Sequence, residues 1–538
     1  MANAGQGPRY CRALDAAGKL FLFPDGRASG KLFCMNVTPE LDQLNAEELR
    51  QLARSLLAQV QSKQALIDKL NYEMATLKRL KFAASSEAYS TEQQRLLFET
   101  IDIDLEALSA EIGKLNPSVS TPTEARPPKR TALPDALPRT DIHHEPASTS
   151  CHCGCQMRRI GEDVAEKLDY QPGVFTVERH VRGKWVCRQC ETLVQAPVPA
   201  HVIDKGIPTA GLLAHVLVAK YQDHLPLYRQ SGIFARAGLA IPDSTLAQWV
   251  GCCGVHLQPL VDALREELLA QPVLHADETP VSMLKPGHGK THRAYLWSYC
   301  STSLNSMKGV VFDFADTRGG RHAEAFLGHW RGTLVCDDFS GYKALFKQGV
   351  TEAGCMAHAR RKFHELFVNH QSQIAEAGLQ LFGALYEVER QVQELAPEQR
   401  LQVRQQQARP AADLLHQWLM TQRQRVPEGS ATAKAIDYSL RRWDALTRYL
   451  DDDAIPIDNN WVENQIRPIA LGRKNWLFAG SLRAGQRAAA VMSLLHSARL
   501  NGHDVYAYMK DVLERLPSLP ASRIRELLPH CWMPASSV

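Results

Sequence analysis

Two acids stand side by side in "TLVCDDFSGY", where Asp337 and Asp338 follow a short apolar run. A third, Asp277, follows the apolar run "VLHA" in "PVLHADETP". Strands ending near these positions would bring acids from distant sequence to one sheet edge. Carboxylates held that close repel each other, and such a group persists mainly where a divalent cation neutralises it. Two such ions flanking a phosphate can stabilise both the attacking and the leaving oxygen. Glu463 is the candidate third acid, early in a helix that opens near residues 458–460. From Asn464 to Ala490 the chain carries Arg467, Arg473, Lys474, Arg483 and Arg487 and no Asp or Glu. Positive charge beside a carboxylate cluster makes physical sense when the ligand is a polyphosphate backbone. Trp476 and Phe478 lie in the same stretch, placed either to stack on bases or to pack.

A second chemistry is written in cysteine. Of thirteen cysteines, Cys151, Cys153, Cys155, Cys187 and Cys190 crowd together. Cys187-x-x-Cys190 has the knuckle spacing of tetrahedral zinc. On the other side Cys151, Cys153 and Cys155 alternate, and Cys151 and Cys155 lie within the usual ligand spacing. Four thiolates from two knuckles would close a structural zinc site. "FTVERHVRGKWVC" between them alternates apolar and polar residues, which predicts joining strands. His180 within it is expected on the surface, because four thiolates already complete the site. An odd cysteine count without an export signal argues against a disulfide framework.

These residues need elements to position them. Strand-like runs are expected at "PVLHADETP", "RAYLWSYCS", "KGVVFDFADT" and "GTLVCDDFSGY", and "TEAGCMAHARRKFHELF" runs from a short strand into a helix. Residues 370–454 read as a helical insertion, Gln/Arg-rich and without strand texture. Upstream, Leu49, Leu52, Leu56, Val60, Ile67, Leu70, Met74 and Leu77 recur at mostly three- and four-residue steps, unbroken by Gly or Pro. That predicts a coiled-coil-like helix of about five heptads, packing on a second helix over 91–115 or pairing with another copy. The stretch "LYRQSGIFARAGLAIPDSTLAQWVG" has helix-turn-helix grammar.

The expected fold class is multidomain α+β. Residues 1–34 form a leader, disordered or preceding a true start at Met35, and 35–116 a leucine-zipper-like helical domain. Residues 117–149, with seven prolines, read as a linker. A zinc module follows at 150–200 and a helical, helix-turn-helix-like region at 201–268. The catalytic core takes 269–369 and 455–500 around the insertion, and 501–538 form a helical tail. The chain has 538 residues, too many for one core, and 45% are hydrophobic. No run approaches the ~20 apolar residues of a membrane helix, and no stretch reads as a signal peptide. The expected location is cytoplasmic. The net charge of +4 matters less than where the positive charge sits.

"HADETP", "CDDFSGY", "CMAHARRKF" and above all "DNNWVENQIRPIALGRKNWLFAGS" resemble the signature blocks of the insertion sequence 66 family of bacterial transposases, over roughly residues 35–520. The resemblance implies an RNase H-like core with an Asp-Asp-Glu triad, interrupted by a helical insertion. It implies Mg²⁺- or Mn²⁺-dependent cleavage at the terminal inverted repeats and transfer of the 3′-hydroxyl into target DNA. It also implies a nucleoid-associated bacterial protein working with two small accessory proteins, and here homo-oligomeric through the N-terminal helix. The triad falls on Asp277, Asp337 and Glu463, with one metal expected between Asp277 and Asp337 and the other between Asp277 and Glu463. The family's catalytic acid stands two residues before an aromatic and is usually followed by glycine, so Phe339 selects Asp337, and Asp338 takes the glycine position. The zinc ligands fall on Cys151, Cys153, Cys187 and Cys190, with Cys155 as the alternative to Cys151. Cys355 and His358 match a further block, and a lone C-x-x-H lacks two zinc ligands, so His358 is expected near the active site. Arg360, Arg361 and Lys362, with the five cations of 464–490, are the expected DNA contacts. An inactive DNA-binding derivative and a structure-selective nuclease are the competing readings.

Overall fold

The computed structural model describes residues 10–14, 20–24, 46–83, 91–115, 133, 135, 137–146, 148–150, 155–171, 173–203, 206–284 and 291–534. Residues 1–66 and 67–538 form separate compact units. In the first, β1 (Tyr10–Leu14) and β2 (Leu20–Pro24) pair antiparallel. The leader expected to lack order therefore carries a hairpin, and "LFLFP" has the length and composition of a strand. Helix α1 (Ala46–Ala83) begins in this unit and is unbroken. Leu49, Leu56, Leu57 and Val60 are exposed on it.

The second unit continues α1, with Ile67 and Leu70 buried, and adds α2 (Thr91–Leu115). Strand β3 (Arg139–His144) comes next and pairs parallel with β5. It lies inside the stretch expected to be a linker. Past Pro138 the composition changes to "RTDIHH", and its backbone groups find partners on a strand edge. Proline count alone hid that change. Strands β4 (Arg158–Gln171) and β5 (Val174–Val186) form a long antiparallel ladder, and the short β6 (Leu193–Gln195) pairs with β5.

Three helices follow: α3 (Ala210–Tyr221), α4 (Leu227–Arg236) and α5 (Asp243–Leu269). The turn between α4 and α5 uses Gly238 at φ 92°, a backbone that favours glycine. The helix-turn-helix geometry forms, but α5 is buried along most of its length, with α2 packed beside it. Only Ser244 and Gln248 are exposed near its start.

The central sheet comprises β7 (Val273–Met283), β8 (His292–Ser301), β9 (Val310–Ala315), β10 (Thr333–Cys336) and β11 (Thr351–Gly354). Helices α6 (Gly320–Leu327) and α7 (Lys343–Lys347) lie between its later strands. Its order is β11-β10-β7-β8-β9. β10 is parallel to β7 and β11, whereas β8 is antiparallel to β7 and β9. Helix α8 (Met356–His370) follows β11. The insertion is all helical, from α9 (Gln373–Val392) through α10 (Pro397–Val403), α11 (Arg409–Arg425) and α12 (Ala431–Arg441) to α13 (Trp443–Thr447). Arg404, 1% exposed, pins the insertion's end. It pairs with Glu389 and donates to the carbonyls of Tyr449, Asp452 and Ile455. Then come α14 (Asn460–Trp476), α15 (Leu482–Leu500) and α16 (Val505–Arg515).

Strand alternation divides the sheet between two cores. Leu274, Leu334 and Cys336 join the main core with α5 and α15. Val273, Val335 and Ala353 join the core of the insertion and α8.

His496 on α15 is fully buried, edge-on to Phe312 with ring centroids 5.2 Å apart, and its ring nitrogens have no hydrogen-bond partner. Burial above all, then the positive charge of Arg499, lowers its pKa to about 3. The unfolded chain therefore takes up this proton first. The stabilising effect of keeping the ring neutral is complete above about pH 6.5 and is lost as pH falls towards 3, at roughly 1.4 kcal/mol per pH unit. Between pH 7.5 and 5, His496→Leu is expected to lose roughly 2 kcal/mol less stability in urea than the wild type. Equal losses in both proteins would contradict this account.

Candidate active site

The site lies where β10 stops and β7 continues. β10 pairs with β7 at Thr333–Val273, Leu334–Leu274 and Val335–His275. Continued two residues, past the end of β10, that register leads Asp337 towards Asp277, whose carboxyl feels its charge. Asp277 is thus at the middle of β7, not at its end as the sequence implied; β8 carries the strand on to Met283. Beyond β10, the bare edge of β7 is satisfied by other means. Ala276 O accepts from Asn459 Nδ2 at 2.9 Å. Glu278 N donates to Asp277 Oδ1 at 2.9 Å. Pro280 O accepts from Arg473 Nη1 at 2.6 Å, and Ser282 O from Ala479 N at 2.8 Å. Burial first, then the charge of Glu278, holds the Asp277 carboxyl well above its usual range; the charges of Asp337 and Glu463 add to the rise, and the Glu278 N–H opposes it.

Asp337 heads a tight turn, its Oδ1 accepting from Phe339 N at 2.9 Å. Glu278, absent from the sequence-derived site, ties this turn to β7. Tyr342 Oη donates to Glu278 Oε2 at 3.0 Å, Arg318 Nε donates to Oε1 at 2.7 Å, and the Arg318 guanidinium lies over the Phe339 ring. Asp338 is exposed, 3.9 Å from Lys343 Nζ and 3.9 Å from Arg442 Nε.

Glu463 lies in the first turn of α14. Asn459, just before that helix, is fully buried. Besides bonding Ala276, its Oδ1 accepts from His275 Nδ1 at 2.7 Å, and its N–H donates to Cys355 Sγ at 3.2 Å. One amide side chain and its backbone thus join β7, α8 and α14. Asp458, one residue before the N-cap, accepts from Asn460 N at 3.0 Å and from Tyr386 Oη at 3.0 Å. Arg361 donates to Glu463 Oε2 at 3.4 Å, and His358 Nδ1 stands 3.9 Å from Oε1. Among the described residues, one group of three metal-type ligands has its donor atoms within 4.8 Å of one another: Cys355, His358 and Glu463. Asp277 and Asp337 stand outside that radius.

A cleft at the Asp337 turn is lined by Arg318, Asp337, Asp338, His358, Lys362, Lys434 and Arg441. Lys434 and Arg441 come from α12, and nothing in their sequence context marked them. The cations expected from the sequence divide. Lys362 lines the cleft; Arg360, Arg467 and Lys474 are exposed. Arg361 is on Glu463 and Arg473 on Pro280. Arg483 is bound by Glu73 and Glu111, and the buried Arg487 by Asp104 at 2.6 Å. Those last two fasten α1 and α2 to α15. Trp476 packs on the main core, and Phe478 on a small cluster with Ile101 and Leu284.

In the cysteine module, Glu191 N donates to Cys187 O, which shapes the second knuckle. Cys155 packs beside Cys187 and donates from Sγ to Gln189. Cys151 and Cys153 lie outside the described residues. Cys155 stands against the opposite knuckle, although the thiols of Cys155, Cys187 and Cys190 do not all lie within 4.8 Å of one another. His180 is not on the surface: its side chain is 12% exposed and stacks on His144, with Nδ1 2.9 Å from His144 Nε2.

The profile described as "Transposase IS66 family" matches residues 205–487. The chain belongs to this family. A profile for the zinc-finger binding domain of transposase IS66 matches residues 148–191, the IS66 C-terminal element 493–530, and "Transposase C of IS166 homeodomain" 69–142. The uncharacterized proteins y4jD and y4qI of Sinorhizobium fredii are each 35% identical to it. The alignments span 86% of this chain in both cases, and 94% and 88% of those proteins. No described helix of this IS66-family protein is long and apolar enough to cross a membrane.

Asn459→Ala removes the partner of His275 Nδ1 and of Ala276 O. A buried group left unpaired costs about 1–3 kcal/mol, so a stability loss of about 2–5 kcal/mol is expected in urea unfolding. A loss below about 1 kcal/mol would mean that the start of α14 is held elsewhere.

Proposed function

We propose that this protein cleaves DNA at the ends of an insertion sequence and joins the freed 3′-hydroxyl to target DNA, using Asp277, Asp337 and Glu463 on an RNase H-like core. The observation that carries the reading is the β7–β10 register, which leads Asp337 towards Asp277, on whose carboxyl the charge of Glu463 also acts. The strand order β11-β10-β7-β8-β9, with only β7, β10 and β11 parallel, supports the RNase H-like assignment. The donors fit a hard divalent cation. They are carboxylates, and Asp277 is held towards its neutral form by burial and by like charge, which a cation would reverse. When bound there, Mg²⁺ or Mn²⁺ supplies the charge that activates an attacking hydroxyl and stabilises the leaving oxygen.

The chain's own residues do the rest. Glu278, Arg318 and Tyr342 hold the Asp337 turn against β7. Asn459 holds the start of α14, and with it Glu463. Lys362, Lys434 and Arg441 bind backbone phosphates in the cleft. The knuckle cysteines hold a structural Zn²⁺, and the exposed leucines of α1 serve a homo-oligomer.

The test uses purified protein, Mg²⁺ and labelled element-end DNA. Asp277→Asn, Asp337→Asn and Glu463→Gln are expected to abolish cleavage and joining, whereas Asp338→Asn retains most of both. A dead Asp338→Asn with an active Asp337→Asn would move the site by one residue. Cleavage without joining would make the protein a nuclease, and binding alone a DNA-binding derivative. A second measurement concerns charge. Lys434→Ala and Arg441→Ala are each expected to weaken binding across sequences and to lower the salt slope of log K by about one. An unchanged slope would remove α12 from the interface.

A further inference from the structure

Cys355 and His358 flank the junction of β11 and α8, and in sequence their C-x-x-H is two ligands short of a zinc site. The fold supplies a third. Sγ of Cys355, an imidazole nitrogen of His358 and a carboxylate oxygen of Glu463 lie within 4.8 Å of one another. His358 Nδ1 and Glu463 Oε1 face each other at 3.9 Å, beyond hydrogen-bond reach, and both are shielded from solvent without a hydrogen-bond partner. Unpaired buried polar atoms are uncommon and ask for an explanation such as an ion. Neighbouring groups act on two of the three ligands. Arg361 takes Glu463 Oε2. The Asn459 N–H points at Cys355 Sγ, a donor that favours a thiolate there.

We propose that Cys355, His358 and Glu463 form a site for one zinc-class cation beside the aspartates. A thiolate, an imidazole and a carboxylate form the donor set of zinc rather than of Mg²⁺. Burial raises the Cys355 thiol to about 12, and a bound cation would displace the proton. Three protein ligands leave a fourth position open, as zinc sites that exchange ligands require. His358 also lines the cleft that contains Asp337, so that position opens towards the same space. That Glu463 serves the aspartates as well rests on the proposed function; the cation does not.

The test is metal content of the full-length protein, stripped and reloaded with Zn²⁺ or Co²⁺. The wild type is expected to bind a second equivalent beyond the cysteine module. Cys355→Ser and His358→Gln should each lose that equivalent, while Cys187→Ser with Cys190→Ser loses the other. In the Co²⁺ form of that double variant, a thiolate-to-cobalt charge-transfer band should persist and vanish on adding Cys355→Ser. His358→Gln, at a side chain 25% exposed, carries the test alone if Cys355→Ser or the knuckle variants fail to fold. Zinc content unchanged in a folded His358→Gln protein would overturn the site. Joining activity in Mg²⁺ by that same protein would leave the proposed function standing. A lost equivalent in His358→Gln, beside a wild type that neither cleaves nor joins DNA, would support the site and sink the function.

Discussion

The hydrogen bonds of Asn459 are the constraint on which the site depends. An amide deep in the protein has to be fully paired, because each unpaired group costs on the order of 1–3 kcal/mol. Asn459 meets that demand with partners from three elements: His275 and Ala276 on β7, and Cys355 at the head of α8. The start of α14 therefore has one place to be. The insertion of 370–454 can vary the path by which the chain arrives there, but not where α14 begins. Positioning of Glu463 is in this sense decoupled from the long detour that precedes it.

Much of this was legible in sequence. The strands at "VLHADETP" and "TLVC" and the helix after "DNNW" follow from apolar runs and helix-opening polar residues, and the family motifs selected Asp277, Asp337 and Glu463. What was not legible depends on pairing across the sheet. The length of β7 comes from β8, whose ladder carries it six residues past Asp277. Glu278 looked like a neighbour of an acid, yet its partners Arg318 and Tyr342 come from two separate later segments. Lys434 and Arg441 sit in a helical stretch whose charge pattern looks like any solvated face. β3 was hidden because a proline-rich stretch ends one residue before a strand.

The basic run 464–490 teaches a related point. Its sequence reads as one positive surface. The helices distribute it by facing: Arg467 and Lys474 outward, Arg473 to a strand edge, Arg483 and Arg487 inward to acids of α1 and α2. Sequence gives the charge, but only the neighbours decide whether it meets a ligand or a carboxylate of the same chain. The inward pair makes the N-terminal helices part of the core's electrostatics, since Asp104 is as deeply buried as Arg487.

Pro280 lies on the part of β7 that β10 leaves bare. Its carbonyl faces Arg473, away from β8. In a strand the N–H and C=O of one residue point the same way, so the donor that proline lacks is missing from the open edge. A bare edge is a template for a foreign strand, and proline is one of the residues that blunts it. That stretch of β7 is thereby a poor place for another polypeptide to add itself. Replacing this proline would return an N–H donor to an edge whose acceptors are already taken by Arg473 and Ala479.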